Sequence, residues 1–151
     1  MEKIIAILVC TMFIWSCNQS PDSAAESPAE EIENHDDHAH ENEPLELNNG
    51  EKWVVNEEMK PFVRRGHELV HGFIAERRSD YHELAEQLTE QNNQLIQSCT
   101  MEGKSHDELH KWLHPHLELV QELKNENDAA EADKIVLEIQ QSYLEYQDYF
   151  D

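Results

Sequence analysis

An eighteen-residue stretch, CTMEGKSHDELHKWLHPH at positions 99–116, concentrates side chains that could bind a metal ion. It holds one thiol, Cys99, and one thioether, Met101, together with four imidazoles. Two of these, His106 and His110, are four residues apart, so on a helix their rings are neighbours. Sulfur ligands favour Cu(I), and a thiolate with two imidazoles and a fourth ligand also suits Zn²⁺. The stretch therefore predicts a transition-metal site, copper before zinc.

A purely structural role for the same residues is an open alternative. Cys99 falls near the centre of an apolar stripe, where cysteine behaves as a small hydrophobic residue. On this interpretation Met101 packs against the end of the helical domain, and His106 is a surface residue at the start of a helix. A redox-active or intermolecular thiol is the third alternative, because a single leftover cysteine in an exported chain fits either role.

Four amphipathic helices are predicted to position these residues. Apolar side chains recur at three- and four-residue spacing in four stretches after Trp53, and no alternating strand pattern interrupts them. The predicted helices are about 20 residues long and are joined by short loops. Residues 53–151 are therefore expected to form an all-α, antiparallel up-and-down four-helix bundle. The third helix should open on a Ser105–Glu108 capping box. The predicted N-cap residues are Asn56, Asp80, Ser105 and Asp128.

This topology brings the start of the first and third helices to the same end as the close of the second and fourth. Met59 would then join the sulfur and imidazole groups as an auxiliary ligand. Farther along the bundle, Asn92 and His116 are predicted to face inward as buried polar groups. We expect Asn92 to hydrogen-bond one ring nitrogen of His116. The three histidines expected to face solvent are His71, His82 and His114.

The amino terminus carries an export signal and a lipidation motif. Residues 1–16 combine an early lysine with an apolar run that is too short to span a bilayer, as in a signal peptide. The segment Ile14-Trp15-Ser16-Cys17 resembles a bacterial lipobox, which implies cleavage before Cys17 and lipid attachment to it. The chain is thus expected to be an exported lipoprotein, anchored to a membrane through Cys17.

Residues 17–52 are predicted to form a disordered tether. Residues 18–52 hold eleven Asp and Glu against one Lys, and such a segment buries too little apolar surface to offset the entropy of ordering. The tether includes HDDHAH, in which His35, His38 and His40 stand beside two aspartates. Short His-rich tracts can bind divalent metals with low affinity, although a solvated acidic linker with incidental histidines is equally open.

Net charge and surface pattern bear on the partners. The chain has a formal net charge of −22, and residues 53–151 hold 21 acidic against 9 basic side chains. This argues against nucleic-acid binding, which needs a basic face. Leu137 and Leu144 fall opposite the core stripe of the fourth helix and suggest a protein-interaction module without a ligand. A weaker alternative is haem or another small molecule in the core, held through His116 or Met59.

A family resemblance supports the localisation. The motifs LNNGEKWVVNEEMKPFV and NQLIQSCTMEGKSHDELHKWLHP, which follow a lipobox and an acidic tether, resemble small helical-bundle lipoproteins of Gram-negative bacteria of the Bacteroidetes type. The resemblance covers about residues 45–151 and implies an outer-membrane lipoprotein. That group brings no established activity, so the functional expectation remains a non-enzymatic binding protein.

Overall fold

The fold, seen in a computed structural model that describes residues 43–151, is a bundle of four helices. Helix α1 spans Lys60–Ala75, α2 Tyr81–Ser98, α3 Lys104–Asn125 and α4 Ala129–Tyr149. Each helix packs on the next, and α4 packs back on α1. The predicted all-α four-helix bundle is confirmed. None of the helices in this part of the chain is long and apolar enough to span a bilayer.

One apolar stripe from each helix builds the core. The stripes meet along the bundle axis because their side chains recur at helical spacing. The largest fully buried apolar side chains are Trp112, Tyr143, Met59, Leu88, Leu95, Leu109, Leu123 and Ile139. Polar or charged groups enter this interior at three described positions, which are Asn92, Glu108 and His116.

The first helix begins later than predicted. Its N-cap is Met59 rather than Asn56, and no side chain in the described part of the chain caps it. The amide of Asn56 instead donates to the carbonyl of Ser98 at 2.9 Å and accepts from the backbone amide of Thr100 at 3.2 Å. Asn56 therefore ties the chain before α1 to the end of α2, as the predicted topology requires.

The capping box predicted for α3 does not form. Gly103, at a φ of 63°, occupies the N-cap position, and the hydroxyl of Ser105 donates to the carbonyl of Glu102. Glu108 is buried and engages other groups. By contrast, Asp128 caps α4 by accepting from the backbone amides of Ala130 and Glu131.

A segment before α1, residues 43–55, lies across the bundle end and is called the strap below. Its backbone pairs with the end of α4, since Trp53 donates to the carbonyl of Tyr149 at 2.8 Å and accepts from the amide of Asp151 at 3.0 Å. The indole of Trp53 donates to the carbonyl of Glu46, and the amide of Glu46 donates to the Glu108 carboxylate at 2.9 Å. Residues 43–52, assigned to the tether from sequence, therefore contact the bundle.

Candidate metal centre

Three histidines form a row along one face of α3. The rings of His106 and His110 have centroids 4.3 Å apart, and those of His110 and His114 are 5.1 Å apart. Nε2 of His114 and Nδ1 of His110 share a hydrogen bond of 3.2 Å. The row exists because the three residues are spaced four apart, which places each side chain one turn above the last. All three side chains are half-buried.

The predicted sulfur ligands lie on neighbouring segments. Cys99 is the C-cap of α2, a free and half-buried thiol that packs against the core. Met101 is half-buried in the loop that leads to α3. Met59 has no exposed surface and belongs to the core. These residues border the same end of the bundle, because Asn56 links the chain before α1 to Ser98 and Thr100.

The predicted ligands do not form a ready three-ligand cage. Within residues 43–151, no group of three or more His, Cys, Asp or Glu side chains has the geometry to hold a metal ion. Cys99, His106 and His110 are therefore not gathered around one point. The three α3 histidines are likewise arranged in a line. One metal ion could therefore be shared only by two neighbouring histidines of the line. The tether histidines His35, His38 and His40 lie outside the described residues, as does Cys17.

A buried ion pair lies on the α3 face that the strap covers. The Lys111 ammonium is 3.0 Å from the Glu108 carboxylate and 3.3 Å from that of Glu43. The side chains of Lys111 and Glu108 are only 8% and 2% exposed. Burial alone would lower the pKa of Lys111, but its hydrogen bonds to Glu108 and Glu43 outweigh this effect and raise the pKa. Through Glu43, the strap is therefore held to α3 at Lys111, the residue that follows His110.

The inner polar positions are both buried, but they do not pair as expected. His116 stacks on Trp112 with a centroid distance of 4.8 Å and meets the edge of Tyr143 at 4.6 Å. Its Nδ1 bonds the hydroxyl of Ser142 at 3.0 Å, a partner on α4 rather than Asn92. Within residues 43–151, Nε2 of His116 and the amide nitrogen of Asn92 have no hydrogen-bond partner. Burial lowers the pKa of His116 to about 3, so this histidine is neutral.

Two features of the candidate site were missed from sequence. His114, expected to face solvent, is half-buried and contacts His110; its spacing of four from His110 was the available signal. The Glu108–Lys111 pair also follows helical spacing, but the capping-box pattern concealed it. His71 and His82 are exposed, as expected.

Comparison with known proteins adds no family to this picture. No protein-family model, curated protein or solved structure shows a significant match to the chain.

Proposed function

We propose that this chain is a lipid-anchored, non-enzymatic protein of a Gram-negative cell envelope that binds and passes on a transition-metal ion, copper before zinc. The observation that carries the proposal is the 3.2 Å separation between Nε2 of His114 and Nδ1 of His110. Two imidazole nitrogens bound to one tetrahedral ion at usual metal–nitrogen lengths stand about 3.3 Å apart. In the structure these two nitrogens share a hydrogen bond, so a metal ion would replace the shared proton and both rings would turn toward the ion.

The ligand chemistry favours copper. Imidazole suits Cu²⁺, Zn²⁺ and Ni²⁺, and copper binds most tightly in this series. His106 continues the row beyond His110, so a bound ion has a second pair within reach. Cys99 and Met101 remain proposed sulfur ligands for Cu(I), with Met59 as an auxiliary. The half-buried setting of the three imidazoles supports binding, because part of their ordering cost is already met in the folded chain.

The acidic tether is proposed to collect the ion at low affinity. The strap is held to α3 by Glu43, whose carboxylate lies 3.3 Å from Lys111. His40 precedes Glu43 by three residues, so covalent geometry limits the distance between their Cα atoms to about 11 Å. That limit supports transfer of an ion from HDDHAH to the row on α3. The many carboxylates of the tether also favour attraction of cations over anions.

Metal titration of the full-length chain tests the site. Cu²⁺ and Zn²⁺ binding would be measured by competition with a chromophoric chelator, for the wild type and for the double variant His110→Asn/His114→Asn. The double variant should weaken binding at least tenfold, because half or more of the nitrogen ligands are lost. The matched control is His71→Asn, which removes an exposed histidine of α1. Equal affinity in the double variant and the control would refute the assignment to α3.

A separate variant tests the sulfur ligands. Cys99→Ala should weaken Cu(I) binding and leave Cu²⁺ or Zn²⁺ binding at the histidine row nearly unchanged. If Cys99→Ala has no effect on Cu(I), the thiol has a packing role only, consistent with its contact with the core.

Lipid attachment is tested independently of the metal. Mass spectrometry of the chain from its host should detect acylation at Cys17, and Cys17→Ser should release the protein from the membrane fraction. If the Cys17→Ser protein stayed in the membrane fraction, lipid attachment at Cys17 would not be what anchors the chain.

A second candidate function, docking on a protein partner, is favoured by one observation. Leu137 and Leu144 on α4 are 55% and 41% exposed. They stand seven residues apart on one side of the helix, where an isolated bundle would favour polar residues. The variant Leu137→Ser/Leu144→Ser should lose a partner recovered from envelope extracts, whereas Ile96→Ser, an equally exposed residue of α2, should retain it.

A further inference from the structure

A groove between α1 and α4 has the features of a second binding site. Its volume is about 260 Å³, and α3 contributes none of its lining. The floor is apolar and aromatic, formed by Val63, Tyr143 and Tyr146, which are 7%, 1% and 7% exposed. Concave apolar floors with a few polar groups at the edge are typical of small-molecule sites.

The floor packs closely against α1 at Gly66. Any other residue at this position would place its Cβ 2.0 Å from the Tyr143 hydroxyl oxygen. Glycine therefore allows the Tyr143 ring to pack directly against the backbone of α1. The Tyr143 ring also lies 5.8 Å from the His67 ring, centroid to centroid. His67 Nδ1 is 3.1 Å from Nε2 of Gln147, and this pair joins α1 to α4 in the lining. Gly66 and the His67–Gln147 pair thus help to set the shape of the cleft.

Charge at the groove contrasts with that of the rest of the bundle. Lys60 and Arg64 both line it, although acidic residues exceed basic ones by 21 to 9 over residues 53–151. Lys60 pairs with the exposed Glu57 at 2.7 Å. Arg64 is exposed and makes no ion pair with another residue of the described chain. Asp151 also lines the groove and brings a negative charge, so Arg64 is the lining cation that has no ion pair within the described residues.

We propose that this groove binds a small monoanion with an apolar ring, an aromatic carboxylate being the chemical class that fits. The ring would lie against the accessible parts of Val63 and Tyr146, with the buried Tyr143 behind them, and the carboxylate would accept hydrogen bonds from Arg64. Guanidinium is the side chain best shaped for such a bidentate contact. Asp151 disfavours ligands of higher negative charge. The inference is independent of metal binding on α3.

Benzoate is the test ligand, and benzamide is its neutral match. Binding to the full-length chain would be followed by amide chemical shifts. We expect a saturable change at residues of the groove, with a Kd on the order of 1 mM for a ligand this small. Benzamide should bind several-fold more weakly, because it offers no charge to Arg64. Absence of saturable benzoate binding up to about 10 mM, or equal binding of the two compounds, overturns the proposal.

Variants localise the contact. Arg64→Gln should weaken benzoate about five- to tenfold and leave benzamide unchanged. Arg65→Gln is the matched control, since Arg65 is the next residue of α1 but pairs with Glu68 outside the groove. Equal benzoate affinity in these two variants rejects the site. His67→Trp should fill the groove and abolish binding of both compounds; a helical His67→Trp protein that binds as the wild type does would also reject it.

Discussion

The buried His116 predicts a measurable acid sensitivity. Its pKa is lowered to about 3 by burial, against an ordinary value of 6.5. Between these values the unfolded chain takes up a proton that the folded chain does not. This contribution to stability is therefore complete above about pH 6.5 and declines as the pH falls toward 3. Each pH unit in that window is worth about 1.4 kcal/mol, so acidification to about pH 5 should cost about 2 kcal/mol through this residue.

The assay compares His116→Phe with the wild type. Phenylalanine preserves an aromatic ring beside Trp112 but does not titrate. Urea unfolding followed by far-ultraviolet circular dichroism would give the free energy of unfolding at about pH 7.5 and about pH 5. The numerous carboxylates titrate in both proteins, so the difference between the two pH dependences isolates His116. We expect the variant to lose about 2 kcal/mol less than the wild type on acidification.

Controls separate this effect from a general loss of stability. His116→Gln, which cannot titrate either, should show the same reduced pH dependence even if its stability at neutral pH differs. His71→Asn, at an exposed position, should follow the wild type. Should the curves of His116→Phe and the wild type run parallel within about 0.5 kcal/mol, the imidazole is accessible to protons in the folded state and the reasoning fails.

Two further predictions concern packing and the strap. Gly66→Ala should destabilise the bundle by about 2–3 kcal/mol, because the new methyl group would overlap Tyr143. Gly72→Ala, where a Cβ meets open space, should stabilise it by up to about 1 kcal/mol; urea unfolding distinguishes the two signs. Lys111→Met should cost about 3 kcal/mol by leaving the buried Glu108 carboxylate without its cation. The double variant Lys111→Met/Glu108→Gln should recover part of that loss in the same assay. If its loss of unfolding free energy equals the sum of the two single losses, Glu108 and Lys111 are not coupled.

Helical periodicity accounts for what was predictable from sequence. It identified the four helices and the inward positions of Asn92 and His116, because both depend on which face of one helix is apolar. It could not identify Ser142 as the partner of His116, since that contact depends on how α4 is rotated against α3. Side-chain spacing within a helix is local information, whereas the register between two helices depends on the packing of the whole core.

The errors at helix starts have a related cause. Asn56 and Ser105 are good capping residues, and Glu108 completes a capping-box pattern, so sequence favoured local hydrogen bonds for all three. In the structure, Asn56 bonds the end of α2 and Glu108 bonds Lys111 and the amide of Glu46, 62 residues away. For Asn56 and Glu108, partners distant in sequence, Ser98 and Glu46, replaced the expected contact with the backbone of the same helix start. The row of α3 histidines, in contrast, could have been recognised from its four-residue spacing alone.

The strap also has a mechanical consequence. Tension applied through the residues before Glu43 would load the Glu46–Glu108 and Trp53–Tyr149 hydrogen bonds before it reached α1. Those bonds would break before the helices behind them unfold. Force applied from the amino-terminal side therefore reaches the helices last, and single-molecule stretching should record a small, low-force step ahead of the main rupture.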